Sequence, residues 1–468
     1  MIIMFNFALT NVPEPRFGYL HSLVGHRVLG AYIDNEEQLQ LLLELMHSEQ
    51  AMIIMLDMWS IPRNTGSNVT MSMSGWQYAA VEPQFQQVSL RHWVLTANLQ
   101  DWIDQERREN EPGELLTERR GEPAFAVDVY HPLEEINAYL DDLPNNYPDL
   151  VRVKNIGTTY EENRIRLVMV SRDGEESRKP VVWIDAGIHS REWIAPATAL
   201  YILQHLLDTA DNSTLLDTYD FHIVPVLNPD GYVYTWTWNR LWRKNRAPSR
   251  RGVFCRGTDP NRNFDAQFGG ASTSTTPCSQ IFKGDSAFSE AESVAVRDGV
   301  LSLGSRLKAY FSLHSFSQIW MCPHGYRWSE PSDIDHLVGP SSAHSQFMGP
   351  PSPLICLLNK TPTRHSIHSL LLMEVLDKAV SAVKERHGTD YKYGPTSSTL
   401  YFVSGTSSDW VYDVAGVRYS YAVELRDMGQ FGFILPKSHI LPCGEETLAG
   451  LEAALLHIGH KHGYLRHR

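Results

Sequence analysis

An α/β fold, in which a sheet carries helices on both faces, is predicted for this chain by two observations. From residue 132 onward, apolar β-branched runs alternate with segments of helical period, the pattern of a layered sheet-and-helix domain. At 468 residues the chain also exceeds one ordinary core, so a second, smaller domain is expected.

Taken in order, residues 25–62 read as strand, helix, strand: an apolar run at 28–33, a helix over 36–46 and a second run at 52–59. Residues 64–93 are polar and read as irregular, and 95–121 return to a helical, heavily charged connector. A helix is expected over 132–143, with Pro132 in its first turn. Strands follow at 151–157, 165–171 and 181–186, then a helix at 195–207, a strand at 221–227 and a helix at 289–303. A strand at 307–314, a helix at 373–386, a strand at 417–424 and a helix from 445 to about 458 complete the pattern.

Bulk properties narrow the function. Apolar residues make up 43% and charged residues 20%, a globular balance. A net charge of −13 argues against a nucleic-acid partner, and no apolar run approaches the ~20 residues that span a bilayer, so no membrane partner is expected. Of five cysteines, Cys255 and Cys278 flank a Gly/Ser/Thr-rich loop, compatible with one disulfide or with two buried thiols. Cys322, Cys356 and Cys443 have no evident partners.

The stretch Ala186-Gly187-Ile188-His189-Ser190-Arg191-Glu192-Trp193 closes a strand pattern and opens a helical one. A His-x-x-Glu pair at such a bend can aim an imidazole and a carboxylate at one point, and both are ligands that suit Zn²⁺. Among 20 His and 54 acidic residues that spacing also arises by chance. A catalytic zinc wants three protein ligands and one open position. His314, ending the 307–314 strand pattern, is the candidate third donor, because α/β ligands gather where strands end.

Around these three stand Asn228-Pro229-Asp230-Gly231-Tyr232, Arg240-Leu241-Trp242-Arg243-Lys244, Asp259-Pro260-Asn261-Arg262-Asn263, Thr399-Leu400-Tyr401 and Val423-Glu424-Leu425-Arg426-Asp427. In that order the chain resembles a zinc carboxypeptidase of the pancreatic A/B type in its zymogen form, from Gly25 to about Ala454 and densely between Tyr130 and Leu451. The resemblance implies an activation pro-domain at 25–110, a small α+β open sandwich that caps the active-site cleft. A connector at 111–120 would hold a trypsin-like processing site at Glu118-Arg119-Arg120-Gly121, and a catalytic domain at 121–462 would be built on a mixed eight-stranded sheet with helices on both faces. Residues 338–372 interrupt segments that match the family as if joined, and their Gly-Pro-rich composition reads as a surface insertion.

The same resemblance assigns roles. One Zn²⁺ per chain would sit on His189, Glu192 and His314, with Asp259 orienting His189. Glu424 would be the general base and Arg243 the oxyanion stabiliser. Asn261, Arg262 and Tyr401 would clamp a substrate's terminal carboxylate, and Arg191 would line the outer cleft. Ser408, with Thr396, Thr406 and Ala422, would line the specificity pocket, whose small neutral walls suit an apolar or aromatic C-terminal side chain. The family favours a Cys255–Cys278 bridge, a monomer, and secretion, although residues 1–9 lack the basic start of a secretory signal. The expected partners are peptide or protein C-termini and an activating trypsin-like protease. Two other readings share the motifs: a catalytically impaired homologue that binds C-terminal peptides, and a zinc amidase, which would not need the Asn261, Arg262 and Tyr401 set.

Overall fold

The computed structural model describes residues 22–47, 56–110, 125–249, 255–328 and 364–465. The first domain is an antiparallel sheet of β1 (Arg27–Tyr32), β2 (Asp57–Met58), β3 (Asn68–Met73) and β4 (Arg91–Thr96), in the order β2-β3-β1-β4. Helices α1 (Glu36–His47) and α2 (Gly75–Gln87) cover one face, and α3 (Leu99–Asn110) leads toward the second domain. Alternation along β1 divides its side chains between two faces. Leu29 and Ala31 share a core with Leu42, Val81 and Phe85 from the helices, whereas Val28 packs with Trp59, Leu99, Phe316 and Phe433 at the junction of the domains.

Residues 64–93 are therefore regular, not irregular as their polarity suggested. In β3, Val69, Met71 and Met73 alternate with Thr70 and Ser72, a period-two signal masked by the buried hydroxyls. Helix α2 starts at a capping box: the Ser74 side chain accepts from the Gln77 backbone N–H (3.3 Å), while the Gln77 side chain accepts from the Ser74 N–H (2.6 Å). It buries only the narrow stripe Gln77, Val81 and Phe85, so most of its sequence reads as loop.

The second domain holds the predicted eight-stranded mixed sheet. Its strands are β5 (Val151–Thr158), β6 (Arg164–Val170), β7 (Val181–Ala186), β8 (Asp220–Val224), β9 (Leu307–Ser315), β10 (Ile319–Cys322), β11 (Lys392–Pro395) and β12 (Tyr419–Leu425). They run in the order β11-β10-β12-β9-β7-β8-β6-β5, with β12, β9, β7 and β8 a parallel block. The helices are α4 (Leu133–Asn146), α5 (Ile194–Asp208), α6 (Thr214–Thr218), α7 (Pro229–Thr237), α8 (Ala291–Leu303), α9 (Arg364–His387), α10 (Thr396–Thr399), α11 (Ser407–Asp413) and α12 (Ile440–His462).

Both faces of the sheet are covered, which is why its central strands are mostly apolar. Val182, Ile184 and Ala186 of β7 meet Leu140, Leu203, Leu376 and Leu455 of α4, α5, α9 and α12. Val181 and Trp183 turn the other way, toward Val296 of α8 and Trp410 of α11. Strands β10 and β11 were not anticipated, being only four residues each. Helix α12 begins at Ile440, earlier than expected, because Pro442 falls in a first turn that needs no N–H from it.

The expected insertion is corrected at its end: residues 364–372 belong to α9 and Leu372 is buried in the core. Residues 338–363, Cys356 and the Arg119-Arg120 pair lie outside the described residues. Cys255 and Cys278 are joined in a disulfide, while Cys322 and Cys443 are buried thiols.

Candidate active site

The site forms where the parallel block ends. After β7 the chain bends through Gly187, at φ +67°, and places His189 and Glu192 ahead of α5. His314 lies near the end of β9, and Glu424 stands beside it in register on β12. The donor atoms of His189, Glu192 and His314 lie within 4.8 Å of one another, and all three residues are buried.

Their orientation suits a cation. His189 Nδ1 is 2.8 Å from Glu192 Oε1 and 3.2 Å from His314 Nδ1, which in turn is 3.3 Å from Glu192 Oε2. Two imidazole nitrogens and a carboxylate thus converge, a donor set that matches Zn²⁺. The far ring nitrogens are engaged elsewhere: His189 Nε2 meets Asp259 Oδ1 at 3.1 Å, and His314 Nε2 meets Ser312 Oγ at 3.2 Å. Burial and the nearby Arg243 cation both lower the His189 pKa, favouring the neutral ring a metal requires. Against the upward push of burial, the two histidines hold the Glu192 carboxyl well below the usual range.

Asp259 ties this centre to the basic residues beside it. Oδ1 also accepts from the Asn261 N–H (2.9 Å), and Oδ2 accepts from Arg243 through Nε (3.1 Å) and a terminal nitrogen (2.9 Å). Burial raises its pKa, but Arg243, Arg262 and His189 outweigh that and hold it well below the ordinary value. Arg262 donates to the Tyr401 hydroxyl (3.0 Å), the Ser272 carbonyl (2.9 Å) and the Asn261 carbonyl (2.9 Å). Gly405, at φ +75°, passes so close that a Cβ there would meet the Arg262 carbonyl oxygen at 2.4 Å. Asn261 Oδ1 accepts from the Ser407 N–H (2.9 Å), which sets the start of α11, and so Ser408, against the clamp. Ser408, Thr396, Thr406 and Ala422 are all buried.

Glu424 is half-buried, and its buried Oε2 has no hydrogen-bond partner among the described residues. Burial pushes its carboxyl up to about 7, Glu192 adding to the rise while His314, Arg243 and Arg63 oppose it. The metal donors, Asp259, Arg243, Asn261, Arg262 and Tyr401 are linked by these contacts, but Arg191 stands apart. Arg191 instead pairs through one terminal nitrogen with Asp57 Oδ1 (2.9 Å) and Oδ2 (3.1 Å), and its guanidinium lies over the Phe433 ring at 4.0 Å. A second reach from the first domain is Arg63, which donates to the Thr399 carbonyl at 2.8 Å. Burial lowers its pKa, with Tyr401 and Glu424 pulling the other way, so its charge sits within their field.

Sequence reasoning missed Asp57, Arg63, Ser312 and Asp409. Asp409, the residue after Ser408, turns its carboxylate to the Gly325 N–H (3.0 and 3.2 Å), and burial lifts it to about 6. A charged residue immediately after the pocket position was the available signal. Ser312 could have been found as the residue two before His314, on the same face of β9.

The chain is also similar to known proteins. Residues 136–450 match the family model described as zinc carboxypeptidase, and residues 30–106 match that of the carboxypeptidase activation peptide. The chain is 37% identical over 461 residues to carboxypeptidase A2 of Mus musculus, covering 96% of this chain and 98% of that one. It is 34% identical over 436 residues to carboxypeptidase B of Bos taurus, covering 92% of each. The crystal structure of thrombin activatable fibrinolysis inhibitor superposes with a TM-score of 0.75 at 30% identity, over 93% of this chain and 99% of that one. The Helicoverpa armigera carboxypeptidase A structure does so at 0.76 and 26%, over 93% and 98%. A chain that pairs this metal-ready centre with the family's own activation peptide belongs to the zinc carboxypeptidases, as a zymogen.

Proposed function

We propose that this zymogen is secreted, works as a monomer with one zinc per chain, and releases single apolar or aromatic residues from peptide C-termini. Activation would follow cleavage by a trypsin-like protease after Arg119 or Arg120. The observation that carries the exopeptidase reading is the Arg262 guanidinium, held against Tyr401 at 3.0 Å beside Asn261, whose Nδ2 is 3.4 Å from His314 Nε2. A planar fork next to the metal donors recognises a free carboxylate and sets the last peptide bond over the centre.

His189, Glu192 and His314 would hold the metal. When bound, zinc supplies Lewis acidity to the scissile carbonyl and to the attacking water. Glu424, with an unengaged Oε2 and a carboxyl near neutrality, takes a proton from that water and returns it to the departing amine. Arg243, fixed by Asp259, would neutralise the negative charge that develops on the scissile carbonyl oxygen. The Ser408 floor carries no charge to pair a basic substrate side chain, which favours apolar residues. No helix among the described residues is long and apolar enough to cross a membrane.

The direct test measures metal content and then the residues freed from a peptide panel by the trypsin-treated protein. One zinc per chain and faster release of Phe or Leu than of Lys, Arg or Asp are expected. A metal-loaded, correctly cut protein that frees nothing would favour the binding-only homologue.

A further inference from the structure

We propose that Asp185, acting through Ser312, is the positioning residue that fixes His314 for the metal. The inference rests on the metal centre proposed above and extends it to residues that touch neither metal nor substrate. Asp185 is a fully buried carboxylate within the apolar strand β7, where charge is costly unless it serves a purpose. It lies in register with Ser312 on neighbouring β9, and Ser312 shares a face with His314 two residues on.

The hydrogen bonds run in one direction. Trp183 Nε1 can only donate, and it does so to Asp185 Oδ2 at 2.9 Å. Ser312 has a single proton, and Asp185 Oδ1 at 2.7 Å receives it. The Ser312 oxygen is then left as an acceptor facing His314 Nε2 at 3.2 Å. The other neighbour of Nε2, Asn261 Nδ2, is a donor, but at 3.4 Å it lies beyond the usual hydrogen-bond range, so the nearer Ser312 oxygen sets the proton. His314 therefore carries its proton on Nε2 and presents a bare Nδ1 toward His189 and Glu192. Asp259 does the same directly for His189. The two imidazoles are thus held in one tautomer by two carboxylates, one in contact and one relayed through a hydroxyl.

The test uses the full-length chain with Ser312→Val and Ser312→Thr, which differ chiefly by the hydroxyl, and with Asp185→Asn. The readout is zinc affinity, measured by competition with a chromogenic chelator. Ser312→Val and Asp185→Asn should weaken zinc roughly 10- to 100-fold, and Ser312→Thr should restore most of that. Equal affinity in Ser312→Val and Ser312→Thr would overturn the relay. Nitrogen NMR of the metal-free wild-type chain, recorded at a pH where the His314 ring is neutral, gives a reading independent of any variant's folding: the neutral ring should be the Nε2–H tautomer, and an Nδ1–H tautomer would overturn the proposal. A wild-type chain that bound no zinc at all would instead remove the metal centre itself, so the two failures are distinguishable.

Discussion

Asp57 of the activation peptide holds Arg191 of the catalytic domain through two hydrogen bonds of 2.9 and 3.1 Å. The Arg191 side chain is 4% exposed, and Asp57 is the carboxylate that pairs it. Around the pair, Trp59 packs on Phe433 with ring centroids 5.3 Å apart, and Arg63 holds the Thr399 carbonyl next to Tyr401. An ion pair set in an apolar seam acts as a latch, because releasing one partner leaves a poorly solvated charge.

Weakening that latch should make the uncut chain leak. Asp57→Ala with Arg63→Ala is expected to raise peptide hydrolysis by the intact protein on the order of tenfold or more, the equivalent of about 1.4 kcal/mol of lost docking. Activity after trypsin treatment should be unchanged, since both residues leave with the activation peptide. An uncut double variant as silent as the wild type would sink the idea that these two contacts close the cleft.

Glu424→Gln should keep its zinc while losing turnover by ~10²–10⁴, because the amide cannot carry the proton from water to amine. Metal analysis and single-turnover hydrolysis, done on the same sample, check both halves. Near wild-type turnover would remove Glu424 from the chemistry.

Arg262→Ala should raise KM for peptides with a free carboxylate and hardly affect amidated analogues. Loss of a charge-assisted fork costs roughly 1.5–3 kcal/mol, about 10- to 150-fold. Equal losses on both substrates would argue against a terminal-carboxylate clamp.

Glu292, buried in the first turn of α8 and accepting from Asn245 Nδ2 at 3.0 Å, predicts a pH effect on stability. Burial raises its carboxyl to about 8 from an ordinary 4.5. The folded chain therefore keeps a proton that the unfolded chain releases, and stability falls as pH rises from about 4.5 to about 8, by up to about 1.4 kcal/mol per unit. Glu292→Gln, which mimics the protonated form, should flatten that slope in urea melts at pH 5, 6.5 and 8. Parallel slopes in the two proteins would show that the group does not titrate in this range.

Much of the site was legible because its motifs are local. His189, Glu192 and His314 sit at strand ends announced by apolar runs, and the clamp residues Asn261 and Arg262 are adjacent in sequence. The short strands β10 and β11 were not legible, since four residues carry too little period to distinguish strand from loop. Nor was α2, whose buried stripe of Gln77, Val81 and Phe85 is diluted by polar neighbours.

The sequence by itself determined the α/β class and the His189-Glu192 pair, because strand periodicity and a three-residue spacing are carried by residues close together in the chain; a strand end pointed to His314, and resemblance supplied the expected roles of Asn261, Arg262 and Tyr401. Only the tertiary structure decided which ring nitrogens face the metal position and what covers the cleft. The first depends on Ser312 reaching across β9 to Asp185, 127 residues away, and the second on Asp57 meeting Arg191 across 134 residues and Arg63 meeting Thr399 across 336. Each of those side chains is an ordinary serine, aspartate or arginine in sequence, where a polar residue reads as solvated surface. Burial beside one particular partner is what turns it into a relay or a latch, and that is a property of the folded chain alone.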